Sequence, residues 1–258
     1  MGREPPKVVH CDPEEVYTIH ALPITARTRM HPAQDNPVIQ WTKGEETFRA
    51  RWQSERNLAV PGKVMLADDT LTADTAYRLA CEGNVFLWQS DFQNARQLMQ
   101  ALVRRVDKSA EHKKSKAAKA SKTDVEYPQK FHLYRQAQAQ RARILGSILI
   151  PFNADYSISL RRAPDVLAAC SEAWGEPQAD GPMIVTSLRE MMGVVGAHEW
   201  RKKGVEVSAL GDPPSNRIHP YYGVFSPVRG EYVDLVLKAP LPKACEVTGA
   251  AGGVGTGT

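Results

Sequence analysis

Long apolar runs, paired cysteines and an apolar leader are all missing from this chain of 258 residues. No stretch approaches the roughly 20 apolar residues that a membrane-spanning helix needs, and Met1-Gly2-Arg3-Glu4-Pro5-Pro6 lacks the apolar centre of a signal peptide. The four cysteines, Cys11, Cys81, Cys170 and Cys245, stand far apart and form no Cys-x-x-Cys pair. That spacing argues against a zinc knuckle and against a disulfide scaffold. A reduced, cytoplasmic protein with no membrane segment is expected. No internal repeat is visible either. What remains is globular in character, with 42% hydrophobic and 24% charged residues, and long enough for one or two domains.

Charge is nearly balanced at +4, but the positive excess is local. Arg104, Arg105, Lys108, Lys113, Lys114, Lys116, Lys119 and Lys122 fall close together. Such a run suits nucleic-acid phosphates. It equally suits a solvated Lys/Ala/Ser linker that buries nothing, and both readings stay open.

Taken in order, residues 1–37 carry Pro5, Pro6, Pro13, Pro23, Pro32 and Pro37 and read as a flexible leader. Order is expected to begin with a hairpin of 38–42 and 48–52 around Lys43-Gly44-Glu45-Glu46. Val64-Met65-Leu66-Ala67 and Val85-Phe86-Leu87-Trp88 read as strands. Between them a helix is capped by Thr72 or Asp74 and ended by Gly83. Asp91 then caps an amphipathic helix over Ala95, Leu98, Met99, Leu102 and Val106. This makes 38–107 a small α/β unit, followed by a basic linker over 108–127 and a helical accessory region over 128–210.

In that region a helix is expected from Phe131 through Tyr134, Ala137, Ile144 and Leu145 toward Ile148, stopped by Pro151. Tyr156-Ser157-Ile158-Ser159-Leu160 alternates like a strand. Another helix opens at Ala163-Pro164-Asp165 and closes at Gly175. Ser187-Leu188-Arg189-Glu190 fits a capping box, with Met191, Met192, Val194, Val195 and Trp200 as the apolar face behind it. Trp41, Trp52, Trp88 and Trp174 are expected in the core. His198-Glu199 lacks the second histidine of a zinc-protease motif, so no metal is expected. Gly211-Asp212-Pro213-Pro214-Ser215-Asn216 marks a boundary.

Beyond it stands Gly223-Val224-Phe225-Ser226-Pro227-Val228-Arg229-Gly230-Glu231, then a helix-like Tyr232-Val233-Asp234-Leu235-Val236-Leu237, then Gly255-Thr256-Gly257-Thr258. This order resembles the entry to the catalytic domain of small-domain class I S-adenosylmethionine-dependent methyltransferases, similar to those acting on release-factor glutamine and rRNA bases. Asp91–Arg96, 135–143 and Gly196–Gly204 resemble a branch with an extra N-terminal region, so the likeness spans roughly 38–245. The resemblance implies an accessory α/β region followed, over 216–258, by the start of a Rossmann-like methyltransferase domain. It implies adenosylmethionine as cofactor, bound by Phe225, Pro227, Arg229, Glu231, Gly255, Thr256 and Gly257. It also implies an RNA or ribosomal or translation-factor substrate, methylated at nitrogen.

Departures from the pattern are specific. Gly253 stands where an acidic residue is expected, the third glycine of the turn would fall after Thr258, and no Asn-Pro-Pro-Tyr occurs. The catalytic residues are therefore not assigned, and the chain is expected to be truncated at its cofactor motif and inactive alone. A non-catalytic RNA- or protein-binding module is the alternative, and a product of truncation or frame change a third.

Overall fold

The structure, a computed structural model, describes residues 37–120, 127–178, 180–224 and 230–240. The leader before Pro37 and the glycine-rich end lie outside the described residues.

Strands β1 (Val38–Lys43) and β2 (Glu46–Trp52) form the expected hairpin, with Gly44 turning at φ +64. Strand β3 (Val64–Ala67), helix α1 (Ala73–Cys81) and strand β4 (Val85–Trp88) follow as expected, with Thr72 Oγ1 capping α1. Asp91 caps helix α2 (Phe92–Ala120), its Oδ1 accepting from the Gln93 N–H at 2.9 Å. Helix α2 does not end near Asp107. The run expected as a linker continues it to Ala120, because Lys, Ala and Glu are good helix formers whether or not they bury anything.

Helix α3 (Tyr127–Leu145) starts before Phe131 and buries only Ile144 and Leu145, so its expected apolar face is exposed for most of its length. Ile148 belongs not to that helix but to strand β5 (Ile148–Phe152), and Pro151 sits inside the strand rather than stopping a helix. The ladder to β4 covers only Ile148 and Leu149, so Pro151 lies past its last pair on that side. Residues 156–160 form no strand. Tyr156 takes φ +65, and Asp155 accepts from both the N–H and the hydroxyl of Ser157 in a tight turn. Helix α4 (Leu167–Trp174) ends at Gly175, strand β6 (Ile184–Ser187) follows, and helix α5 (Leu188–Lys203) starts directly from it. Trp200 is 54% exposed, a correction to its expected place on the buried face.

Six strands join in one mixed sheet, ordered β1-β2-β6-β5-β4-β3. The chain is thus α/β, and the region expected to be helical supplies two central strands. Strands β3, β4 and β5 run parallel, and β6 turns antiparallel to β5. One face meets α1, α2, α4 and α5 over Phe86, Trp88, Ile148, Ile150, Leu102 and Met191. The other face carries Ile39, Trp41, Trp52, Leu87, Leu149 and Val185. The two outer strands, β1 and β3, approach within 8 Å at their Cα atoms, so the sheet curls around this second cluster. Fully burying each such side chain contributes about 1.5–3 kcal/mol. Trp41, Trp52 and Trp88 lie in this core, and Trp174 packs edge-on to Phe152 and Tyr156.

A small antiparallel pair, β7 (Val205–Glu206) with β8 (Arg217–Ile218), leads to helix α6 (Gly230–Lys238). No helix among the described residues is long and apolar enough to cross a membrane.

Candidate functional site

Of the residues that the resemblance assigns to the cofactor, Phe225, Pro227, Arg229, Gly255, Thr256 and Gly257 lie outside the described residues. Glu231 is described. It occupies the first turn of α6, where a carboxylate complements the helix N-terminus, and it is exposed. Tyr232, Leu235 and Val236 of the same helix are also exposed, and α6 approaches the 3-10 turn Ser208–Leu210.

The segment from Gly204 to Val224 is tied to α5 at several points. Gly204 ends α5 at φ +76, and a Cβ there would lie 2.8 Å from His219 Cε1, so both conformation and space require glycine. His219 Nδ1 donates to the Arg201 carbonyl at 2.6 Å, and Arg217 Nη1 donates to the Lys203 carbonyl at 3.1 Å. Asn216 is buried, and its carbonyl accepts from the Val207 N–H at 2.8 Å. Two ring contacts complete the attachment. The Arg201 guanidinium lies 3.7 Å from the Tyr221 ring centroid, and Tyr222 packs against the helix-side core. Gly223, at φ +79, then turns the chain so that the Val224 N–H reaches the Tyr221 carbonyl at 3.0 Å.

Arg201 is itself oriented by a carboxylate. Its Nη1 donates to Glu172 Oε2 at 2.7 Å, and His198 Nδ1 lies 2.9 Å from the same oxygen. Glu172 is 9% exposed at its side chain, and its other oxygen is buried without a hydrogen-bond partner. Neither Glu172 nor this pairing was picked out from the sequence. The available signal was that His198 and Arg201 stand three residues apart, on one helix face, both able to donate to an acceptor across from them.

A second polar group surrounds Tyr222. Ser187 Oγ accepts from the Glu190 N–H at 3.1 Å, but the Glu190 carboxylate does not reach back as in a full capping box. It accepts instead from the Glu55 N–H, tying the chain after β2 to the start of α5. Burial raises the Glu190 carboxyl above its usual value, and the negative charge of Glu55 adds to the shift. Burial also raises the Tyr222 phenol, with Glu55 and Glu190 pushing the same way. Arg189 is lowered by burial and by the like charges of Arg56 and Arg141. The Tyr222 phenol therefore stays neutral across the physiological range and packs as a ring against the helix-side core.

At the carboxyl ends of β3 and β4, Asp91 is buried, accepts from Arg162 Nε at 2.6 Å and forms an ion pair with Arg161, whose Nε lies 3.1 Å away. The Arg162 hydrogen bond chiefly holds its carboxyl below the usual range. With the Gln93 N–H taking its other oxygen, this carboxylate is committed to capping α2. Burial pushes the Cys170 thiol up to about 12, which removes it as a nucleophile at neutral pH. Among the described residues no group of three His, Cys, Asp or Glu is placed to hold a metal ion.

The described residues His219–Gly223 are therefore tied to α5 and to the helix-side core. No family model, no curated protein and no solved structure matches this chain.

Proposed function

We propose that this chain belongs to an S-adenosylmethionine-dependent methyltransferase that methylates a nitrogen of a nucleic-acid base or of a protein glutamine. Its α/β body is the accessory region. Its task is to hold the cofactor-facing loop that begins at Gly223 and leads into α6. The observation carrying this reading is the attachment of His219, Tyr221 and Tyr222 to α5 and the core, immediately before that loop.

Bound adenosylmethionine supplies an activated methyl group on a sulfonium centre. The residues present suit its charges. Arg229 is a fork-shaped donor for the methionyl carboxylate, and the exposed Glu231 carboxylate is an acceptor for the ammonium. Phe225 offers a ring face to the sulfonium. Pro227 is assigned to the same site, and Gly255, Thr256 and Gly257 are residue types that permit close backbone approach to a cofactor. Methyl transfer of this kind draws on positioning and exclusion of water more than on acid–base chemistry.

Saturation-transfer NMR with adenosylmethionine tests the reading, since it detects weak complexes. The expected result is saturation of the cofactor methyl and adenine signals with an affinity of about 1 mM, because Gly253 stands where an acidic partner of the cofactor is expected. S-adenosylhomocysteine should compete, and Arg229→Ala or Glu231→Ala should remove the effect. A signal untouched by both substitutions, or no signal, contradicts the reading.

A further inference from the structure

Helices α2 and α3 run well beyond the core. Among the residues whose burial is described, the last buried one in α2 is Val106, yet the helix continues to Ala120, and α3 is exposed from Tyr127 to Gln140 before Ile144 and Leu145 enter the core. At about 1.5 Å per residue, the part of α2 past Val106 alone is about 20 Å long, and its first turn still meets α1 through the Tyr77–Ser109 hydrogen bond at 3.0 Å. The two helices are joined at the base of this arm by an ion pair between Asp107 and Arg141.

The arm concentrates one charge. Residues 104–120 and 127–145 contain 11 Lys and Arg against 2 acidic residues, although the whole chain carries only +4. On α2, Arg105, Lys108, Glu111 and His112 line an open groove of about 580 Å³ with Tyr77 of α1. Arg105 also pairs with Asp74 at 3.0 Å and lies over the Tyr77 ring. On α3, Tyr127, Phe131 and Tyr134 are spaced by four and three residues, which aligns them on one stripe. They are 80%, 47% and 62% exposed, and the Arg135 guanidinium sits 5.8 Å from the Phe131 ring.

Exposed rings interleaved with arginine and glutamine, beside a dense run of cations, match one chemistry. We infer that the α2–α3 arm is a binding surface for single-stranded nucleic acid, with the α3 rings stacking on bases and the cations of both helices following the phosphates. A duplex would use the charges but leave the rings without unstacked bases to meet. An anionic membrane would want an aliphatic face, and α3 exposes only Leu133 among its leucines outside the core. A protein groove for a helix would favour aliphatic anchors over this charge density.

This inference does not rest on the methyl-transfer reading, since binding needs no adenosylmethionine. The two can fail separately. The test is fluorescence anisotropy of the full chain with a labelled single strand of about 20 nucleotides, repeated from about 50 to about 200 mM salt. The blunt duplex of the same sequence and vesicles containing phosphatidylserine serve as rival ligands. The single strand should bind more tightly than the duplex, with affinity falling linearly on logarithmic axes as salt rises. Phe131→Ala and Tyr134→Ala should each weaken binding about tenfold and leave the salt slope unchanged. Lys108→Gln and Arg135→Gln should reduce the slope. All four side chains are exposed, so unfolding midpoints should not move, which separates loss of binding from loss of fold. The inference is overturned by absence of binding at low salt, by equal or tighter binding of duplex or vesicles, or by full binding in the doubly substituted F131A/Y134A protein.

Discussion

Arg201 lies 3.7 Å from the Tyr221 ring centroid while donating to Glu172 at 2.7 Å, so one guanidinium connects a buried carboxylate to the segment that leaves the body. The connection links local sequence to tertiary order. His198 and Arg201 share a face of α5, Glu172 reaches them from α4, and His219 closes the set on the Arg201 carbonyl.

Removing the guanidinium strands a buried acceptor, whose remaining partner is His198. Arg201→Ala should therefore cost about 2–3 kcal/mol, the scale of a lost hydrogen bond to a charged group. Urea unfolding measures it, and hydrogen exchange at Val224 should accelerate as the Tyr221–Val224 turn loosens. Arg201→Lys keeps the charge but not the planar stack, and should fall between the two. An unchanged midpoint in Arg201→Ala would show that the attachment contributes nothing.

Emission from the five tryptophans should be dominated at its red edge by one residue. Trp41, Trp52 and Trp88 are buried and Trp174 is enclosed by aromatic neighbours, whereas Trp200 is 54% exposed. Trp200→Phe should shift the emission to the blue and abolish most acrylamide quenching. Quenching that persists in this variant would place a second indole in solvent.

The raised Glu190 carboxyl gives stability a defined pH dependence. Its folded value lies above the ordinary 4.5, so in the window between the two the native state holds a proton that the unfolded chain has released. This contribution is full below the unfolded value and is lost as pH rises through the folded one. Glu190→Gln still accepts the Glu55 N–H but cannot titrate. Urea midpoints between about pH 4 and about pH 7 should therefore fall less steeply in the variant than in the parent. Parallel profiles would remove Glu190 as the source.

Legibility of the fold followed the physics of each segment. The β1–β2 hairpin, α1 and the start of α2 were readable because alternation, a capping Thr72 or Asp91 and a turn glycine all agree locally. Strands β5 and β6 were not, since both are buried on two faces and so carry no alternation. Ile148–Ile150 continued the apolar spacing of α3, and Pro151 looked like a helix stop. Tyr156–Leu160 erred the other way. Its alternation comes from serines facing Asn153, whose Nδ2 donates to Ser157 and Ser159, and from Tyr156 turned inward by a positive φ. Of the candidate site, the helix that carries Glu231 was legible. The Glu172–Arg201–Tyr221 link was not, because Glu172 meets His198 and Arg201 across 26 and 29 residues of sequence.

The central claim is that the loop between Gly223 and α6 faces adenosylmethionine. Ultraviolet cross-linking of the methyl-labelled cofactor to the full chain, followed by tryptic mapping, tests it most directly. Cleavage after Arg217 and Arg229 isolates residues 218–229, which contain Tyr221, Tyr222 and Phe225. The account predicts label in that peptide, suppressed by S-adenosylhomocysteine and lost in Phe225→Ala. Label confined to other peptides, or label in this one that the competitor leaves intact, would contradict it.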